Sequence, residues 1–133
     1  MKILIFGGSG FIGKNLIKKL SSNNLILVVS NKSKIKLKNR NIKTIKQDLL
    51  QPLKKDIINF QPDIIYNFCW YGIPNFNFSN CIINLRISIN IINNLKKFKY
   101  LKKIIFAGSC KEYLESSKKI NEKSKLNLID DFS

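Results

Sequence analysis

Short apolar runs alternate with amphipathic stretches along this chain. Helical spacing of apolar residues predicts helices from about 11 to 20, over 52–60 and over 80–98. Strands that alternate with helices favour a doubly wound α/β fold, a parallel sheet with right-handed crossovers and ligands at the carboxyl ends of its strands. The apolar runs predict the β-strands, at residues 2–6, 25–30, 43–46, 63–68 and 102–107.

Glycine is scarce in the chain but clusters directly after the first predicted strand. Ile, Asn and Lys make up 62 of the 133 residues, whereas Gly occurs 6 times, four of them between Gly7 and Gly13. Glycines permit a tight turn and the close approach of a pyrophosphate, which the free N–H groups of the following helix can hold. The segment Gly7-Gly-Ser-Gly-Phe-Ile-Gly13 therefore predicts a dinucleotide-binding loop, the alternative being a merely structural turn.

The chain is strongly basic, with 24 Lys and Arg against 8 Asp and Glu and a formal net charge of +16. An excess of Lys and Asn is typical of AT-rich coding, and net charge bears on solubility and nonspecific binding rather than on fold. Seven basic residues between Lys32 and Lys46, with no acid among them, leave open a noncatalytic nucleotide- or polyanion-binding module. Aromatic residues for base stacking are absent from that run, so nucleic acid is not an expected partner.

The chain has no histidine, no CxxC motif and no apolar run long enough to span a membrane. The absence of histidine excludes His-based catalysis, the Ser-His-Asp triad and His metal sites. The spacing of the three cysteines includes no CxxC motif, so we expect neither a disulfide framework nor a metal site at Cys69, Cys81 and Cys110. Apolar runs too short for a spanning helix, and an N-terminus that starts directly with a strand, favour a cytoplasmic protein without membrane contact.

Four segments resemble the extended short-chain dehydrogenases/reductases, the NAD(P)-dependent sugar-nucleotide epimerase and dehydratase family. The glycine segment resembles that family's GxxGxxG, and Gln61 to Trp70 its PDvViHlAa strand and loop. Asn84, followed by Ser88 and Asn90, is similar to NxxGTxN, and Gly108 to Tyr113 is similar to SSxxvYg, with 25 residues from Asn84 to Ser109 as in the family. The resemblance implies that residues 1–133 form an NAD(P)-binding Rossmann domain.

The resemblance also implies roles for individual residues. Ser109 would hydrogen-bond the sugar hydroxyl or keto group that reacts, and Asn84 would brace the neighbouring strand ends. Asp48 would accept a hydrogen bond from the adenine amine, with Leu49 beside it. Each of these three roles has an alternative. Ser109 would then be a helix cap, Asn84 an ordinary amide on a helix surface, and Asp48 a solvated loop carboxylate. The pyrophosphate would lie on Gly7, Gly10, Phe11, Ile12 and Gly13, and the cofactor ribose on Asn67, Phe68 and Cys69.

The end of the second predicted strand bears on the choice of cofactor. An acidic residue there binds the adenosine ribose hydroxyls in NAD sites, but this chain has Ser30, Asn31 and Lys32, and residues 1–47 contain no acid. Lys32 is available to pair with a 2′-phosphate. We expect Asn31 and Lys32 to bind NAD or NADP, with NADP slightly favoured.

Two departures from the family pattern bear on the reaction. Cys110 and Lys111 stand where family dehydratases have an Asp-Glu pair, which favours an epimerase or a keto-sugar reductase. The family's catalytic YxxxK is also missing, since none of the four tyrosines is followed by Lys at the fourth position.

The missing YxxxK sets expectations about partners. We expect the chain to be inactive alone, to lack the C-terminal substrate lobe and to have a sheet truncated after about the fifth strand. The run 102–107 would then form an uncovered sheet edge. We therefore expect a homo-oligomer or complementation by a C-terminal part, which would bring the nucleotide-sugar substrate.

Overall fold

A computed structural model describes residues 1–31, 39–75, 77–109, 113 and 119–126. The helices are α1 (Phe11–Leu20), α2 (Lys55–Asn59) and α3 (Phe78–Asn94), and a 3₁₀ turn at Leu95–Lys97 follows α3. The strands are β1 (Lys2–Phe6), β2 (Leu25–Ser30), β3 (Ile42–Lys46), β4 (Ile64–Asn67) and β5 (Lys103–Phe106). Each strand lies within one residue of its predicted bounds.

The strands form one parallel sheet in the order β3-β2-β1-β4-β5. This order confirms the predicted Rossmann-type doubly wound sheet. The chain builds outward from β1 to β3 and then returns to place β4 on the other side of β1. A crevice opens at the carboxyl edge where the strand order reverses, which is where ligands of such sheets bind.

Alternation along the strands produces two apolar layers. Leu4, Leu27 and Ile65 point to one face, where Ile57 of α2 and Ile87 of α3 cover them. Ile3 and Val28 are among the residues that point to the other face, against Ile17 of α1. Helices cover both faces of the central strands. Because successive strand residues face opposite sides, every position of these strands is then buried, and their sequence is continuously apolar.

Helices α2 and α3 differ from their predicted bounds for local reasons. The buried amide of Gln47 accepts a hydrogen bond from the Lys54 N–H at 3.2 Å and donates to the Pro52 carbonyl at 3.4 Å, which keeps 52–54 out of α2. Helix α3 begins before Asn80 because the Asn77 side chain accepts from the Asn80 N–H at 2.9 Å and caps it.

Two further features concern the surface of this fold. Strand β5 pairs with β4 and lies at one edge of the described sheet. None of the helices in the described ranges has the length and apolar character needed to cross a membrane.

The packing of α1 against the glycine loop gives a stability prediction. A Cβ at Gly13 would lie 2.6 Å from Gly8 Cα, and backbone cannot move aside cheaply. We expect Gly13→Ala to lower the free energy of unfolding by about 1–3 kcal/mol. Gly10→Ala is the control, since its Cβ would meet only the Gly7 carbonyl oxygen at 3.4 Å. Equal urea unfolding curves for the Gly13 variant and the unmodified chain would contradict this account.

Candidate functional site

A cleft of about 820 Å³ opens at the carboxyl ends of β1, β4 and β5, with the N-terminal half of α3 as one wall. All four segments that carry the family resemblance contribute to it. A second cleft, of about 530 Å³, lies at the opposite edge of the sheet and contains none of the predicted site residues. Of the predicted residues, the larger cleft is lined by Gly7, Gly10, Phe11, Ile12, Gly13, Phe68, Cys69, Asn84 and Ser109.

The glycine loop is shaped by steric limits at its first and last glycines. Gly7 has φ +75°, and a Cβ there would lie 2.7 Å from the Phe68 carbonyl carbon. Gly13 lets the first turn of α1 lie directly on the Gly8 backbone. The glycine at 7 thus brings the loop against the end of β4, and the glycine at 13 brings α1 against the loop.

Gly10 is different because nothing in the described protein requires a glycine there. Its φ of −73° suits any residue, and the only atom that its Cβ would meet within 4 Å is the Gly7 carbonyl oxygen, at 3.4 Å. Gly10 is the N-cap of α1, and the helix has neither a side-chain cap nor an acidic residue in its first turn. The helix therefore presents its N–H groups and positive dipole end to the cleft, an arrangement suited to an anion.

The loop is also tied to β2. The Gly7 N–H donates to the Val29 carbonyl at 2.9 Å, and the hydroxyls of Ser9 and Ser30 lie 2.9 Å apart. Asn31 is exposed just after β2 and does not line the cleft. Lys32 lies outside the described residues.

The end of β4 forms the floor beside the glycine loop. Asn67 is buried and does not line the cleft; its Oδ1 accepts from the Cys69 N–H at 3.1 Å and shapes the turn instead. Burial raises the pKa of the Cys69 thiol to about 12, so the thiol stays protonated at neutral pH and is a poor nucleophile. No group of three His, Cys, Asp or Glu suited to a metal occurs among the residues that the structure describes.

Asn84 fastens the loop after β4 to α3. Its Oδ1 accepts from the Tyr71 N–H at 2.7 Å, and its Nδ2 donates to the carbonyls of Tyr71 at 3.0 Å and Asn80 at 2.8 Å. Asn84 is 5% exposed, so these bonds satisfy an otherwise buried amide. It braces the loop four residues beyond β4 rather than a strand end itself.

The predicted adenine residues lie at the same sheet edge but outside the lining of the cleft. Asp48 is exposed and its Oδ1 accepts from the Leu50 N–H at 2.9 Å, whereas the Leu49 side chain is buried in the core. Asn90 of α3 donates to the Leu49 carbonyl at 2.7 Å and to the Gln51 carbonyl at 3.0 Å. This role of Asn90 is not visible in the sequence, because the two bonds join residues about forty positions apart.

Ser109 lies where the chain leaves β5. Ala107 N–H donates to the Asn67 carbonyl at 3.0 Å and continues the pairing with β4, and Gly108 and Ser109 then line the cleft. Ser109 thus faces the same space as the glycine loop. Cys110 and Lys111 lie outside the described residues.

An apolar, uncharged wall was missed by the sequence reasoning. None of the described lining residues carries a charge, although the whole chain has a net charge of +16. An anion here would be held by backbone N–H groups and the α1 dipole, while flat or apolar groups pack on the wall. The signal for this wall in the sequence was the helical spacing of the apolar residues at positions 78, 82 and 85. The lining residues that were not predicted as site residues are Trp70, Ile73, Phe78, Cys81, Ile82, Leu85, Ser88, Ala107 and Gly108.

Comparison with solved structures finds the same fold in two UDP-sugar epimerases and in a further enzyme that holds NAD and UDP. UDP-glucuronic acid 4-epimerase from Bacillus cereus, in complex with NAD, has a TM-score of 0.78 and 19% identity over 99% of this chain and 47% of that one. A UDP-galactose 4-epimerase has a TM-score of 0.75 and 19% identity, over 99% of this chain and 46% of the other. Bordetella bronchiseptica WbmG, with NAD and UDP, has a TM-score of 0.75 and 20% identity, over 98% and 44%.

The chain thus spans less than half the length of each of these three structures. A search of curated proteins finds no significant match. Residues 3–130, nearly the whole sequence, match the NAD dependent epimerase/dehydratase family. The chain belongs to the NAD dependent epimerase/dehydratase family.

Proposed function

We propose that this chain binds an NAD(P) dinucleotide in the large cleft, as the cofactor-binding portion of a sugar-nucleotide epimerase or keto-sugar reductase. The observation that carries the proposal is the open space at Gly10, where the protein itself needs no glycine but a Cβ would enter the cleft at the N-terminus of α1. Two of the similar structures hold NAD, and one of them also holds UDP.

Each wall of the cleft suits a different part of the dinucleotide. The N–H groups at the start of α1 would hold the pyrophosphate, and the backbone of Phe68 and Cys69 would face a ribose. Asp48 and the backbone of Leu49, which Asn90 holds, would flank the adenine after the end of β3, beyond the described lining of the cleft. When bound, the dinucleotide supplies hydride transfer. Ser109 would orient the reacting hydroxyl or keto group of the sugar.

The uncharged lining favours this function over polyanion binding. A polyanion site uses several Lys or Arg side chains, and its affinity falls steeply with salt. The described cleft has none of these side chains, so its phosphate contacts would be few and made by backbone groups. The noncatalytic polyanion-binding module would instead use the basic run of 32–46, whose described members Arg40, Lys43 and Lys46 do not line the cleft.

Catalysis requires a further contribution. General acid–base transfer contributes on the order of a hundredfold to ten-thousandfold in rate, and the sequence has no YxxxK to supply it. We therefore infer that a complementary C-terminal part brings the Tyr, the Lys and the nucleotide-sugar site. A cytoplasmic location is part of this proposal, because nucleotide sugar and dinucleotide would both be drawn from that compartment.

The Gly10 site gives the test of dinucleotide binding. We expect Gly10→Asp to abolish NADH and NADPH binding in calorimetry, since a carboxylate would repel the pyrophosphate and fill its place. Asp is a favourable N-cap, so the variant should unfold at the same or a higher temperature. Asn23→Asp, at the opposite edge of the sheet, adds the same charge and should bind normally. Unchanged binding by Gly10→Asp would refute the site.

A second prediction concerns the form of the cofactor. With no acid in residues 1–47 to repel a 2′-phosphate, we expect NADPH to bind at least as tightly as NADH. Lys32→Glu should weaken NADPH selectively, and Lys18→Glu, in the last turn of α1, is a control of equal charge change. Paired titrations with both nucleotides check this. A clear preference of the unmodified chain for NADH would count against it.

The third prediction concerns turnover. The chain alone should neither epimerise nor reduce a UDP- or dTDP-sugar in the presence of NAD(P)(H). A separately produced C-terminal portion of a related epimerase, carrying its YxxxK helix, should restore turnover, and Ser109→Ala should lower the restored rate more than it lowers dinucleotide affinity. Turnover by the chain alone would contradict the proposal, and Tyr113 would be the first residue to test.

A further inference from the structure

Exposed lysines border the second cleft, the one of about 530 Å³ at the amino ends of the strands. One of them is in β1, and the others belong to the segment 96–103, which contains five lysines and no acidic residue. Each either lines the cleft or bonds to a residue that does. We call them the basic rim: Lys2, Lys97, Lys99 and Lys102.

The lining residue Gln61 fastens the segment 96–103 to this cleft. Its Nε2 donates to the Lys97 carbonyl at 2.9 Å, and its Oε1 accepts from the Lys99 N–H at 2.8 Å. Both bonds use main-chain atoms of the segment. The segment is therefore held in place while the side chains of Lys97 and Lys99 stay exposed at the surface.

Asp63 is the one acidic residue in the described lining of this cleft. Its Oδ2 accepts from the Lys2 N–H at 2.8 Å, and its Oδ1 lies 3.8 Å from the Lys102 Nζ. One carboxylate thus stands against four lysines, which leaves an excess of positive charge around the cleft. The net charge of +16 on the whole chain adds a field that draws polyanions toward it.

An exposed aromatic ring lies among these cations. Tyr100 lines the cleft and is 58% exposed, and the Lys99 Nζ lies 5.6 Å from the centroid of its ring. Such a pair suits single-stranded nucleic acid, because a base stacks on the ring while a phosphate meets the ammonium group. Asn23, Asn24 and Asn41 line the same cleft, and amide side chains hydrogen-bond to base edges.

The shape of the site selects among anionic partners. A concave cleft with a stacking ring receives a flexible strand, whereas a membrane surface is flat and the bases of a duplex are already stacked. The basic run of 32–46 has no aromatic residue, which was the argument against nucleic acid there. We propose that the basic rim and Tyr100 bind single-stranded nucleic acid at the sheet edge opposite the large cleft.

Binding of a fluorescently labelled oligouridine tests the basic rim. The triple variant Lys97→Gln, Lys99→Gln, Lys102→Gln should bind on the order of tenfold more weakly, and the slope of log affinity against log salt should fall by about 2. The control removes the same charge from exposed residues elsewhere: Lys46→Gln, Lys55→Gln and Arg86→Gln. The control should bind like the unmodified chain. Equal losses in the two triple variants would overturn the proposal.

A matched pair of tyrosines tests base stacking. Tyr100→Leu should weaken oligouridine binding about tenfold, but should leave the binding of heparin, a polyanion without bases, unchanged. Tyr71 is 51% exposed and lies in the loop after β4, so Tyr71→Leu is the control and should bind both normally. Equal oligouridine affinity of the two tyrosine variants, or an equal loss of heparin binding by Tyr100→Leu, would overturn the stacking role.

Ultraviolet crosslinking locates the bound strand and needs no dinucleotide. The crosslinked peptide should contain Tyr100, and parallel reactions with oligouridine and oligothymidine distinguish RNA from DNA. Crosslinks confined to Trp70 or Phe78 would place the strand in the large cleft and overturn the proposal. A chain that binds phosphatidylserine vesicles but neither oligonucleotide would overturn it as well.

Discussion

The close approach of backbone to backbone around the glycine loop is the constraint on which the rest of the site depends. Gly7 lies against the end of β4, and α1 lies on Gly8 through Gly13, at separations that no side chain permits. These two contacts set where β1 ends and where α1 begins. They thereby aim the N-terminus of α1 at the crevice where the strand order reverses, and leave Gly10 between them as the position that faces open space.

Asparagine side chains hold the remaining walls in register with that loop. Asn84 fastens the loop after β4, Asn90 fastens the segment after β3, and Asn67 shapes the turn that meets Gly7. Each amide bonds main-chain atoms, so the walls are fixed regardless of which side chains they present. Two of these clamps come from α3, which makes that helix the common support for both ends of the proposed dinucleotide site.

Helix α3 also accounts for the chemical character of the cleft. Its exposed apolar residues and those of the loop before it provide walls without charge in a strongly basic chain. Phosphate recognition is thereby left to backbone groups and a helix dipole.

The sequence by itself determined the features that depend on local spacing: the five strands, the doubly wound order that alternation implies, and the glycine loop between Gly7 and Gly13. Only the tertiary structure decided which of the predicted site residues line the cleft. Asn67 turns inward to its own loop, Leu49 packs in the core, and Asp48 stays outside the lining. Helical periodicity identifies apolar positions such as Leu85 and Ile89, but whether another element covers them depends on segments far apart in the chain.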